Sequence, residues 1–171
     1  MQATCGEPQA DAGDLRRAAL EARRQKPLLR AYLNAEVRDQ LVAGDVLVAQ
    51  LWSTTAQQAI DAAPRLNFAY PSEGFPVYMD NAVILRESRR LETAHRFLNY
   101  LLRPEVSAEI ADFTRTATAN GAARALLPAA IRENPLLYPP ADIFARAVWP
   151  QPLSVDTQRL RDRLWTEIKA S

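Results

Sequence analysis

The sequence predicts an α/β fold with few strands and a helix-rich second half. Three observations carry that reading. The run Asp45-Val46-Leu47-Val48-Ala49-Gln50-Leu51-Trp52 is short and apolar, and it is bounded by Gly44-Asp45 and Ser53-Thr54-Thr55, the pattern of a buried strand. Strand-like and helix-like segments alternate up to about residue 85, the order of α/β units. From residue 91 onward apolar residues recur at helical period instead.

In chain order, a first helix is expected over 14–24, with Asp14 as its N-cap and Leu15, Ala18, Ala19 and Ala22 on one face. Pro27 closes it, because the residue before a proline is pushed out of the helical region. Asn34 reads as the N-cap of a helix through Ala43, ended by Gly44, where a left-handed residue is cheap. After the strand at 45–52, Thr54 or Thr55 is expected to cap a helix to about Ala63. Further strands are expected at 67–70, ended by Pro71, and at 82–85, with turn chemistry over 71–76 between them.

In the second half, Leu91, Ala94, Phe97, Leu98, Leu101 and Leu102 set an amphipathic helix over 91–102. Pro104 suits the first position of another, to about Arg115, presenting Val106, Ile110 and Phe113. Asn120 caps a short helix through Leu127. Five prolines between 134 and 152 predict an extended connection, and Leu160, Leu164 and Ile168 set a final helix over 155–169.

Composition narrows the function. The 171 residues carry 21 Lys+Arg against 20 Asp+Glu, a formal net charge of +1, with 48% hydrophobic residues. That is about one globular domain rather than a disordered chain. Near neutrality argues against a nucleic-acid or membrane-surface protein, and the cluster Arg16, Arg17, Arg23, Arg24, Lys26 and Arg30 reads as a solvated helix face. No apolar run is long enough to span a bilayer. The single cysteine, Cys5, excludes an internal disulfide, and the single histidine, His95, lies within a charged helix and reads as a surface or packing residue. There is no phosphate loop, nucleotide fingerprint, nucleophile elbow or metal-ligand spacing. No enzyme, cofactor or metal is expected.

The positive signal is aromatic and acidic. Trp52 stands at the carboxyl end of the 45–52 run, and Tyr78 and Asp80 precede the 82–85 run. Ligands of open α/β sheets bind outside the carboxyl ends of strands. A carboxylate beside ring faces suits a small organic cation: the acid pairs with an ammonium, and the rings cover methylenes and add cation–π attraction of ~0.5–2 kcal/mol. The same residues also suit plain structural roles, a core tryptophan and a turn-capping aspartate.

Several stretches together carry a resemblance. They are Leu29-Arg30-Ala31-Tyr32, Gly44 through Ser53, Tyr70-Pro71-Ser72-Glu73-Gly74, Met79-Asp80-Asn81-Ala82-Val83-Ile84, 94–106, Thr118-Ala119-Asn120 and 164–169. In order and spacing the chain from about residue 14 to its end resembles the carboxyl-terminal half of the spermidine/putrescine-binding periplasmic proteins, the solute receptors of polyamine ABC importers. The resemblance implies a partial type II periplasmic binding-protein fold. Residues 14–171 would then form a lobe-two portion, with crossover segments near 76–85 and 116–120, after a flexible segment at 1–13. It implies further that Trp52 stacks on the polyamine chain, that Asp80 pairs with an amine, that Tyr78 stands where the family usually has Trp, and that Gln151 is the polar residue following Trp149. Thr54-Thr55 replaces a small pair of the family, and Thr116 replaces a tyrosine.

A complete receptor of this kind is longer, so the chain reads as a truncated, non-catalytic receptor. Its polyamine binding is expected to be weak or absent, because a half-cleft loses the enclosure that strengthens ion pairing. The family implies an ABC permease as partner and a periplasmic location. Residues 1–14 show neither a basic start nor an apolar segment, so as written the chain is expected to remain cytoplasmic. Uncovered apolar surface predicts a homo-oligomer. The alternative is a gene fragment whose inherited fold serves as a homo-oligomeric or partner-binding protein without polyamine binding.

Overall fold

Helices account for 54% of the described residues in the computed structural model, alongside one two-stranded parallel sheet. The structure describes residues 11–170; Cys5 and most of the expected flexible segment lie outside them. The elements are α1 (Ala12–Gln25), a short 3-10 turn (Lys26–Leu28), α2 (Val37–Ala43), α3 (Ser53–Ala62), β1 (Phe75–Pro76), α4 (Leu91–Leu101), α5 (Pro104–Thr114), α6 (Gly121–Leu126), α7 (Ala129–Arg132), α8 (Ala141–Phe144), β2 (Ala147–Val148) and α9 (Val155–Ala170). The fold is thus α/β with few strands and a helix-rich second half.

The residues divide into two units. One contains 11–33, Ala69–Met79 and 141–170, and so holds α1, β1, α8, β2 and α9. Here α1 packs along α9, with Leu15, Ala18 and Ala19 buried on the first helix and Leu160 and Ile168 on the second. Ile168 is fully buried. Arg23 pairs with Glu167 at 2.7 Å, and the Lys26 ammonium donates to the Ile168 and Lys169 carbonyls at 2.8 and 3.0 Å. Those carbonyls belong to the last turn of α9, which has no intrahelical donor left for them.

The sheet of this unit pairs Phe75 with Ala147 and Pro76 with Val148, and the Val77 N–H donates to the Val148 carbonyl at 3.0 Å. Gly74 leads into it with φ of +109°, and a Cβ there would lie 2.7 Å from the Arg146 carbonyl oxygen. Only glycine meets both demands.

The other unit contains Asn34–Phe68 and Asp80–Pro140. Its core is formed by Ala56 of α3, Ala108 and Ala111 of α5, Ala123 of α6, Leu127, Ile131 of α7, and Leu136 and Leu137. Gly44 ends α2 in the left-handed region at φ +86°, as the sequence predicts. The Asn120 side chain caps α6 by accepting from the Ala123 N–H at 3.2 Å, also as predicted.

Several expectations are corrected. None of the runs 45–52, 67–70 and 82–85 is a strand. A strand exists only as one side of a hydrogen-bonded ladder. Leu47 through Leu51 make no backbone–backbone hydrogen bond among the described residues, and Leu47 and Val48 are 89% and 87% exposed. The actual strands are two residues long, and β1 contains a proline, which hid it from a pattern search.

The first helix begins at Ala12, because Asp11 is its N-cap. The Asp11 side chain accepts from the Asp14 N–H while Asp14 reaches back to the Asp11 N–H, a reciprocal capping box. Asn34 does not cap α2, which starts at Val37 after a turn, and neither threonine caps α3, whose N-cap position is Trp52. In α5 the buried face is Ala108 and Ala111, whereas Ile110 and Phe113 are exposed. Small residues let α5 approach its neighbours closely, so the bulky side chains turn outward. The proline-rich stretch 134–152 is also less extended than expected, since it holds α8 and β2.

Candidate functional site

The four residues singled out in the sequence divide evenly between the units: Tyr78 and Gln151 in the sheet-containing one, Trp52 and Asp80 in the other. Both strands of the parallel pair run toward the first two. Tyr78 lies two positions past the end of β1 and Trp149 one position past the end of β2, with Gln151 following. Continued past the strands, the register sets Val77 beside Trp149 and Tyr78 beside Pro150, so Tyr78 and Trp149 both follow the carboxyl ends of the sheet, where ligands of parallel sheets bind, one position out of step. The two rings are 47% and 49% exposed, open enough to offer a face. The Gln151 amide donates to the Trp149 carbonyl at 3.3 Å, and this bond holds the segment after Pro150 against the ring-bearing residue. Trp149 served the sequence reading only as a landmark; the missing signal was the pairing of β1 with β2.

Trp52 has extended backbone angles and sits at the N-cap position of α3, its carbonyl accepting from Ala56 at 2.9 Å. Its ring is 47% exposed. The first turn of α3 is fixed to the loop after α5 by a hydroxyl–hydroxyl bond between Thr54 and Thr116, 3.2 Å. These two threonines stand where the resemblance expected small and aromatic residues, and here they bond to each other. Asp80 is exposed, at the start of the second stretch of this unit.

Along α3 runs a polar network that sequence patterns do not reveal. Gln57, buried, donates to Asp61 at 2.7 Å and accepts from Asn134 at 2.7 Å; Gln58 donates to the Thr114 carbonyl at 3.1 Å. Arg115, held at a left-handed φ of 59°, bridges Asp61 at 3.0 Å and Asp112. The network ties α3 to the end of α5 and to Asn134. Glutamines within a helix carry no pattern of their own, which is why they were not legible.

Two cavities lie elsewhere, and their charge excludes them as cation sites. One of about 440 Å3 is lined by Arg124, Arg132, Glu133 and Tyr138, its single carboxylate already paired with Arg132 at 2.9 Å. The other, about 270 Å3, is lined by Lys26, Arg30 and Lys169. Among the described residues no cluster of His, Cys, Asp and Glu could hold a metal ion, and no helix is long and apolar enough to cross a membrane. His95 is exposed on α4, a surface residue.

Comparison with known proteins places the chain among relatives. The chain is 34% identical over 151 residues to the putrescine-binding periplasmic protein PotF of Escherichia coli (strain K12), covering 85% of this chain and 41% of that one. It is 26% identical over 161 residues to spermidine/putrescine-binding periplasmic protein 1 of Haemophilus influenzae, covering 94% and 44%. It is 28% identical over 150 residues to a putrescine/agmatine-binding protein of Pseudomonas aeruginosa, covering 84% and 41%. The chain thus spans about two fifths of the length of these relatives. Residues 23–139 match the bacterial extracellular solute-binding proteins, and the chain belongs to that family.

Proposed function

We propose that this chain carries the polyamine-facing part of a solute receptor serving an ABC importer in the periplasm. It is a binding module without catalysis. The observation that carries the reading is that the rings of Trp52 and Tyr78 are half-exposed and Asp80 is exposed in a chain whose relatives are named for putrescine and spermidine. In one unit Trp52 offers a ring to methylenes and Asp80 a carboxylate to an ammonium; in the other Tyr78 offers a second ring and Gln151 a polar contact. Residues 76–85 and 116–120 are read as crossover segments; the change of unit between Met79 and Asp80 supports the first.

Because this sequence spans two fifths of its relatives, it supplies part of the enclosure that desolvates an ammonium–carboxylate pair. Its own affinity for putrescine or spermidine is accordingly weak. Calorimetric titration of the folded chain tests this. Saturable heat that disappears in Asp80→Ala supports the site. No heat from a sample with intact helical signal overturns it. That outcome favours the second reading, an inherited fold acting through association, which the exposure of Leu47, Val48 and Phe113 supports.

A further inference from the structure

We infer that Asn120 is a site of spontaneous covalent modification: its side-chain amide is lost to attack by the Gly121 peptide nitrogen, and the fold gates the reaction. The inference does not depend on polyamine binding.

The sequence picks out the dipeptide. A side chain on the residue after an asparagine shields that residue's nitrogen, and glycine leaves it bare. Of the six asparagines in the chain, only Asn120 precedes glycine. Asn34 and Asn81 precede alanine, Asn67 and Asn99 precede aromatic residues, and Asn134 precedes a proline. Gly121 is exposed, a Cβ on it would meet nothing within 4 Å, and its φ lies outside the left-handed region. Neither space nor backbone angle requires glycine there.

The reaction needs only the chain and water. The Gly121 nitrogen bonds to Cγ of Asn120, and the Cγ–Nδ2 bond breaks with its electron pair going to Nδ2. The proton from the Gly121 N–H leaves with that nitrogen as ammonia. Water then opens the five-membered imide at either carbonyl, giving aspartate or isoaspartate. No atom is oxidised or reduced.

The fold opposes the first bond. Asn120 Oδ1 accepts from the Ala123 N–H at 3.2 Å, while Nδ2 donates to the Leu102 carbonyl at 2.9 Å and to the Ser107 hydroxyl at 3.3 Å. Closing the imide ring turns ψ of Asn120 to the opposite sign from the 104° it has here. That turn draws the side chain away from all three partners, so reaction is confined to moments when this end of α6 opens. The products do not restore the contacts. Aspartate offers no N–H to the Leu102 carbonyl, and isoaspartate adds a methylene to the backbone at the cap. Either one unties α6 from the end of α4.

Mass spectrometry of the full chain, incubated at mildly alkaline pH with and without urea and then digested with trypsin, reads the conversion of amide to acid. Peptide 116–124 contains Asn120 as its sole side-chain amide, and peptide 31–38 contains Asn34 alone. In urea, Asn120 converts faster than Asn34 and yields both aspartate and isoaspartate. In the folded chain its rate falls at least about tenfold. Gly121→Ala lowers the rate in urea to that of Asn34 and keeps the helical dichroism of the folded chain. Ser107→Ala, which removes one partner of Nδ2, raises the folded-state rate about two- to tenfold and leaves the rate in urea unchanged. A rate in urea no higher than that of Asn34, or aspartate as the sole product, overturns the site. Equal rates with and without urea, or a folded-state rate that Ser107→Ala does not move, overturn the gate.

Discussion

Helices α1 and α4 are written in the same amphipathic code and meet opposite fates. Leu15, Ala18 and Ala19 of α1 are buried against α9. No residue of α4 is buried, although its apolar period is the cleaner of the two; Leu91, Phe97 and Tyr100 are 52%, 59% and 49% exposed. Periodicity specifies a helix with an apolar side, and a buried side requires a second element with a matching surface. For α1 that element is 130 residues further along the chain. For α4 the main neighbour among the described residues is α5, and it leaves the apolar side of α4 exposed.

Substitution can break this contrast. Ile168→Ala removes a fully buried side chain from α9 and is expected to cost about 2–5 kcal/mol, the range for large-to-alanine changes in cores. A urea titration followed by circular dichroism reads it; a loss under about 1 kcal/mol would mean that the site is as loosely packed as α4. Next in size is Asn120→Ala. It removes the cap of α6 and the amide that donates to the Leu102 carbonyl at the end of α4, 2.9 Å. About 1 kcal/mol is expected from the cap alone, read in the same titration.

A smaller effect is expected from acid. Two backbone N–H groups, of Asp14 first and Gly13 second, hold the Asp11 carboxyl below its usual range. A depressed folded-state value means that the cap's contribution is complete above the ordinary carboxylate range and fades as pH falls through the folded value. The melting midpoint of wild type should therefore drop more steeply in that window than that of Asp11→Asn, which caps without titrating. Parallel curves would remove the capping box from the account of α1. Smallest of all, Phe97→Gln on α4 should change stability by no more than about 0.5 kcal/mol, as surface changes do. A loss several times larger would show that this face is covered in solution.

The same contrast explains what could be read in advance. The helices at 14–24, 91–102 and 155–169 were legible because period is a local property, and so were Gly44 and Asn120 as punctuation. The run at 45–52 was misread because a strand is a relation between two segments, and only one of them was visible. The exposed face of α5 was misread for a related reason: volume marks Phe113 as core, but the close approach there selects Ala108 and Ala111. Ring and acid chemistry singles out Trp52, Tyr78 and Asp80 as candidates from sequence alone. Trp149 and the Gln57–Asn134 bond depend on which distant segments meet.

The lysine that closes α9 also sets a schedule. Lys26 and the carbonyl it binds are 142 residues apart in sequence. At ~5–20 residues per second, a ribosome needs roughly 7–28 s to make what lies between. Within that interval every residue of the other unit, 34–140, is made, while α1 waits for the partner of its apolar stripe. During synthesis α1 is made before the other unit and shielded after it, and in that window its apolar stripe is where a chaperone would find its grip.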